Sequence, residues 1–207
     1  MTKEIFDNAR WAISAISRAL RAKQGEGLAE VLQRLDCQVI DESAFMAPQP
    51  ARLPVLHHLP HCIGEAMLLD PELAAAIASL EDELEWRQTE QYPEAVMGEG
   101  FMANYGWSQI IGPHGCFPGD DFLLGLMLLG PGQHYRDHYH PAPELYWPLT
   151  GPSDWKQGAG SYETKDAGSV IWHIPWKVHA TATYGIPLLA VWCWTRDTDT
   201  PAKLVGT

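Results

Sequence analysis

The stretch GQHYRDHYHPAPELYWPLTG, residues 132–151, decides how this chain is read. His138 and His140 are two residues apart, so in an extended strand both imidazoles point to one face. Glu144 follows four residues later, and His179 lies far downstream in a second strand-like segment. Three neutral imidazoles and one carboxylate make an N3O ligand set suited to Zn, Fe, Mn, Ni or Co. His138, His140, Glu144 and His179 are therefore the expected ligands of one divalent transition metal.

On either side of this stretch, glycine and proline punctuate short apolar or aromatic runs at 105–111, 122–129, 144–149, 168–173 and 186–195. Short strands at such close spacing suggest an antiparallel barrel or sandwich. The first ninety or so residues differ in character. Ile5, Trp11, Ile13, Ile16 and Leu20 form an approximate helical face that Gly25 and Gly27 interrupt, and Leu28, Val31, Leu32 and Leu35 imply a second short helix. Four prolines mark 47–61 as a connector. Asp70 as N-cap and Pro71 at the first helical position open a third helix, with Leu73, Ile77, Leu80 and Leu84 as its buried stripe. The expected organisation is a helical N-terminal extension, residues 1–95, and a mainly β barrel carrying the metal site, residues 96–207.

With 207 residues and a net charge of −12, the chain can bury a sizeable core but offers little to a run of phosphates or an anionic bilayer. No nucleic acid and no membrane are expected among its partners. Cys37, Cys62, Cys116 and Cys193 lack CxxC spacing and read as reduced, buried thiols of a cytosolic protein. The N-terminus lacks the apolar core of a signal peptide, so a cytoplasmic address is the default. The helical end offers a surface for a homodimer. Six of the nine tryptophans fall after residue 146, which points to an aromatic-rich core or cavity there.

The pattern Gly132-x5-His138-x-His140-x3-Glu144-x6-Gly151 resembles the first cupin motif at every defined position. The second cupin motif is followed less closely: Gly168 and His179 have the right separation, but Pro175 is one residue late. Lys177 stands where the motif has glycine, and Thr183 where it has asparagine. The resemblance implies a double-stranded β-helix barrel over roughly residues 100–195, with the metal inside. A narrower likeness lies within it. His140-Pro-Ala-Pro-Glu144-Leu-Tyr146, with Tyr135 before it and Ala190-Val-Trp192-Cys-Trp194 after it, is similar to the cupin-type dimethylsulfoniopropionate (DMSP) lyases. Those enzymes cleave this small zwitterionic sulfonium carboxylate to dimethyl sulfide and acrylate. The likeness implies that Tyr146 is the catalytic base and that Tyr135 and Trp194 line the substrate pocket.

The chemistry such a lyase needs is compatible with these residue types. The proton to be removed lies next to a carboxylate, so a Lewis acid on the carboxylate oxygen and a nearby base are both required. Tyr146 lies two residues beyond Glu144, which puts both on one face of a strand, although Pro141 and Pro143 can bend the chain before it. A departing sulfonium suits the faces of Tyr135, Trp192 or Trp194. Two other readings stay open: a different metal-dependent cupin enzyme, such as a dioxygenase or an isomerase, and a non-catalytic ligand-binding cupin. His134 reads as a rim residue, His173 as a rival to His179, and His57-His58-x-x-His61-Cys62 as an exposed connector.

Overall fold

The computed structural model describes residues 2–89 and 92–206. Helix α1, Thr2–Arg21, buries Ile5, Phe6, Ala9, Ile13, Ile16 and Leu20 along one face, and α2, Leu28–Asp36, buries Leu28, Val31 and Leu35. Gly27 starts α2 with φ 78°, and a Cβ there would lie 2.1 Å from the Trp172 ring, so both conformation and space exclude a side chain.

The stretch expected to be a pure connector is partly helical. Pro54–His58 forms a 3-10 turn, and α3 runs from Leu59 to Leu69 with Pro60 in its first turn. A proline there loses no helical hydrogen bond, because the first N–H groups have no partner within the helix. Helix α4, Pro71–Ala78, begins as expected, with the Asp70 carboxylate accepting from the Leu73 N–H at 3.1 Å. It ends before the anticipated stripe does. Leu80 and Leu84 are buried nonetheless, reaching the core from the turns that follow. One more short helix, α5, spans Glu94–Met97.

The strands are β1 Tyr105–Ile111, β2 Leu123–Leu129, β3 His134–Tyr139, β4 Glu144–Pro148, β5 Ser153–Gln157, β6 Glu163–Lys165, β7 Ile171–His173, β8 His179–Ala182, β9 Leu188–Trp194 and β10 Lys203–Leu204. They form two five-stranded antiparallel sheets, ordered β1-β2-β9-β4-β7 and β10-β3-β8-β5-β6. This is the expected cupin double-stranded β-helix with helices at its N-terminal side.

The first sheet is buried on both faces. Leu124, Leu126, Leu128, Leu145, Trp147, Leu189 and Val191 share one apolar core with α1–α4, while Leu123, Met127, Tyr146, Ala190 and Trp192 share another inside the barrel. Gly125 lets β1, β2 and the Trp192 indole come together: a Cβ there would sit 1.9 Å from the Ser108 carbonyl oxygen. Among the described residues no helix is long and apolar enough to cross a membrane. All four cysteines are unpaired. Cys37 is exposed, contrary to expectation, because it caps the end of α2 at the surface. Burial pushes the Cys62 and Cys116 thiols up to about 12, which removes them as nucleophiles near neutrality.

Candidate metal centre

Strand register brings the distant histidines together. In β3 and β8, His138 is directly opposite His179. In the other sheet, β4 places Glu144 between His173 of β7 and Trp194 of β9, and Tyr146 between Ile171 and Trp192. Glu144 and Tyr146 therefore share the inward face, as their spacing predicts, and so do Trp192 and Trp194.

Ligand atoms of His140, Glu144 and His179 lie within 4.8 Å of one another, and all three residues are buried. These three form a site able to hold a metal ion. His138 stands beside the trio, its ring 4.1 Å from that of His179 and 6.4 Å from that of His140.

The donor atoms are suitably prepared for a cation. Each imidazole has Nδ1 next to a main-chain carbonyl: Arg136 for His138 at 2.7 Å, Ala142 for His140 at 2.9 Å, and Lys177 for His179 at 2.7 Å. A carbonyl only accepts, so Nδ1 carries the proton and a neutral ring keeps its Nε2 lone pair. The Nε2 atoms of His140 and His179 approach Glu144 Oε2 at 3.0 and 3.2 Å, and His179 Nε2 has no aligned hydrogen-bond partner. Lone pairs facing a buried carboxylate call for a positive charge between them. Burial drives the imidazole of His138 well below its ordinary pKa, favouring the neutral form a metal needs.

Trp194 holds the other side of the carboxylate. Its Nε1–H donates to Glu144 Oε1 at 2.7 Å, and its indole stacks on the His140 ring at 4.3 Å. Tyr135 lies flat against His138, with ring centroids 4.0 Å apart and planes inclined by 10°. Three residues apart on a regular strand, these two would face opposite sides. A register shift between Tyr135 and His138 turns both inward.

A cavity of about 410 Å³ opens onto Glu144 and Tyr146, walled by Tyr105, Trp107, Tyr135, Trp192 and Trp194, with Arg87 and His114 also on its lining. Burial, followed by the Glu144 charge, drives the Tyr146 phenol well above its usual pKa. The fully buried His173 stacks on His179 at 4.0 Å, and neither of its ring nitrogens has a partner. His134 points the other way, bonding the Tyr162 hydroxyl outside the barrel. His57 and His58 pack on each other beside α3, away from the trio, where His57 Nδ1 meets the Pro54 carbonyl. Tyr105 and Trp107 are site residues that no sequence motif marks; alternation along the 105–111 run, Tyr105, Trp107 and Gln109, is the signal that puts all three on the cavity wall.

Residues 28–190 match the family model described as dimethylsulfoniopropionate lyase. The dimethylsulfoniopropionate lyase DddQ of Ruegeria pomeroyi is 29% identical over 143 residues, covering 65% of this chain and 70% of that protein. The crystal structure of DddQ from R. pomeroyi superposes with a TM-score of 0.75 at 24% identity, covering 96% of this chain and 97% of the other. A crystal structure from a study of the DMSP lyases RdDddP and RnDddQII superposes with a TM-score of 0.73 at 26% identity, covering 95% and 98%.

Proposed function

Because the chain belongs to the dimethylsulfoniopropionate lyase family, we propose that it cleaves DMSP to dimethyl sulfide and acrylate by β-elimination at the cavity beside Glu144. The observation that carries this reading is one carboxylate shared by two inward imidazoles, with a tyrosine on the same strand face and aromatic walls around it. Lyases are only one of the chemistries that cupin barrels host, and the family membership narrows the choice to this one.

His140, Glu144 and His179, joined by His138, would hold one divalent transition metal, which when bound supplies Lewis acidity to the substrate carboxylate and offsets the charge of Glu144. The chain's own side chains do the rest. Tyr146 Oη takes the proton from the carbon next to the carboxylate, and the freed electron pair becomes the double bond of acrylate. The C–S bond breaks at the same time, and the sulfonium leaves as neutral dimethyl sulfide. Tyr146 must be a phenolate to act, and a free phenol at pH 7 is ionised in only about one molecule in a thousand. Burial and Glu144 make that fraction smaller, and a cation held by His140, Glu144 and His179 would favour the phenolate. Until it departs, the sulfonium can rest against Tyr135, Trp192 or Trp194, each cation–π contact contributing about 0.5–2 kcal/mol. The aromatic walls also keep water from the carbanion-like centre.

The test is headspace gas chromatography of dimethyl sulfide, with acrylate quantified in parallel, on protein restored with each divalent metal in turn and with oxygen excluded. Equal amounts of both products without oxygen are expected. No release with any of the metals would overturn the assignment, and release only in air would favour an oxidative reaction.

A further inference from the structure

Tyr135 is held by two other buried phenols that no part of the elimination step has yet used. Tyr92 Oη lies 2.7 Å from Tyr135 Oη, and Tyr105 Oη donates to the same oxygen at 3.5 Å. Thr89 Oγ1 lies 3.2 Å from Tyr105 Oη and continues the chain of hydroxyls outward to a half-buried position. The three rings pack together with centroids 5.2–6.1 Å apart. They come from separate parts of the chain: Tyr92 from the segment before α5, Tyr105 from the start of β1, and Tyr135 from the bulged part of β3.

Two of these contacts leave the donor open, and one assignment of the protons points the cluster into the cavity. Each hydroxyl has one proton to donate and can accept two hydrogen bonds. Tyr105 spends its proton on Tyr135, and Thr89 can supply the bond that Tyr105 accepts. If Tyr92 also donates to Tyr135, the Tyr135 oxygen is doubly occupied as an acceptor and its own proton has no acceptor within the cluster. Tyr135 lines the cavity together with Glu144 and Tyr146, so that proton is available to whatever occupies the cavity. Burial keeps the Tyr92 and Tyr105 phenols protonated, which suits them as donors to Tyr135. Donation to an ionised acceptor is roughly twice as strong as donation between neutral groups, and bonds arranged in a chain strengthen one another.

We infer that Tyr92 and Tyr105 are positioning residues that hold Tyr135 as a hydrogen-bond donor to the carboxylate of the bound ligand. This rests on the reading of the cavity as a site for a small carboxylate. It gives the segment before α5 a direct part in the site, through one hydroxyl.

The test uses Tyr92→Phe and Tyr105→Phe, which keep the packed rings and delete single hydroxyls, in the metal-loaded full chain. Binding of propionate, an unreactive carboxylate, is followed by tryptophan fluorescence, and KM and kcat are measured with DMSP. Loss of one neutral hydrogen bond weakens binding by about 3- to 10-fold. Each variant is expected to raise the propionate Kd and the KM by that factor while kcat stays within twofold. In a Tyr135→Phe background the same substitutions should change the propionate Kd by less than twofold, because both act through Tyr135. A propionate Kd unchanged in both single variants would overturn the inference, as would an equal loss in the Tyr135→Phe background or no propionate binding by the wild type. Wild-type protein that binds propionate in a Tyr92- and Tyr105-dependent way but releases no dimethyl sulfide would overturn the lyase assignment and leave this inference standing.

Discussion

Replacing Trp194 with Phe separates two jobs that this residue performs. Its indole N–H bonds Glu144 Oε1 at 2.7 Å, while Glu144 Oε2 faces His140 and His179. The two carboxylate oxygens are thus divided, one anchored by the indole and one aimed at the imidazoles. Phenylalanine keeps a ring to stack on His140 but removes the donor, leaving a buried carboxylate oxygen without its partner. A hydrogen bond to a charged group contributes about 1.5–3 kcal/mol. At about 1.4 kcal/mol per factor of ten, that corresponds to a loss of roughly 10- to 150-fold in metal affinity. Removing outer partners of metal ligands costs about 10- to 100-fold, which is the same range. The assay is a chelator competition titration with zinc, or with cobalt followed by its absorption, on metal-stripped protein. Trp192→Phe is the control, because the Trp192 Nε1 is buried without a partner and touches no ligand oxygen. Its metal affinity should stay within twofold while KM rises. Trp194→Phe within threefold of wild type, or an equal loss in Trp192→Phe, would refute the reasoning and leave Trp194 as a cavity wall alone.

Tyr146→Phe should retain metal and lose about 10²- to 10⁴-fold in kcat, as removal of a general base does; near-normal turnover would transfer that role elsewhere. Asp70→Ala should lower stability by about 1 kcal/mol in urea at neutral pH through loss of the α4 cap. Burial works to raise the Asp70 carboxyl, but the Leu73 N–H and Arg18 outweigh it and the net shift is downward. A depressed carboxyl contributes stability above its unfolded value of about 3.9 and loses it as pH falls through the folded value, so the two proteins should converge in acid. A gap that persists at pH 2 would mean that the charge of Asp70 is not the cause. Gly125→Ala should cost about 3 kcal/mol or more by thermal or urea melting, because β1 must move away from β2; a melting curve like that of wild type would show that the strands part easily.

Most of the first sheet can be read in the sequence, and the reason is its double burial. The runs 105–111, 122–129, 144–149, 168–173 and 186–195 correspond to β1, β2, β4, β7 and β9, which are its five members. Strands enclosed on both sides must be nearly continuous in apolar residues, and that signal is strong. The second sheet carries Arg136, Asp154, Lys156 and Glu163 on its strands, and only its histidines mark it. Helix α3 was hidden because Pro60 reads as a breaker, whereas in a first turn it is harmless. At the site, the spacing of His140, Glu144 and Tyr146 survives intact into space, since it depends only on local geometry. The stacking of Tyr135 on His138 could not be read, because a bulge reverses the alternation. Tyr92 could not be read either, since its meeting with Tyr135 depends on how distant segments fold together.

The wall shared by helices and barrel bears on how far this molecule can be taken apart. Leu124, Leu126, Leu128, Trp147, Leu189 and Val191 would all be uncovered if the chain were cut before β1. So large a contiguous greasy surface drives self-association in water. The barrel is therefore not a portable cassette, and the helices are not a detachable leader. Shortened versions made for engineering should keep α1–α4. Tags, dyes or surface tethers belong on the β5–β6 hairpin, where Glu163 and Thr164 face solvent on the far sheet.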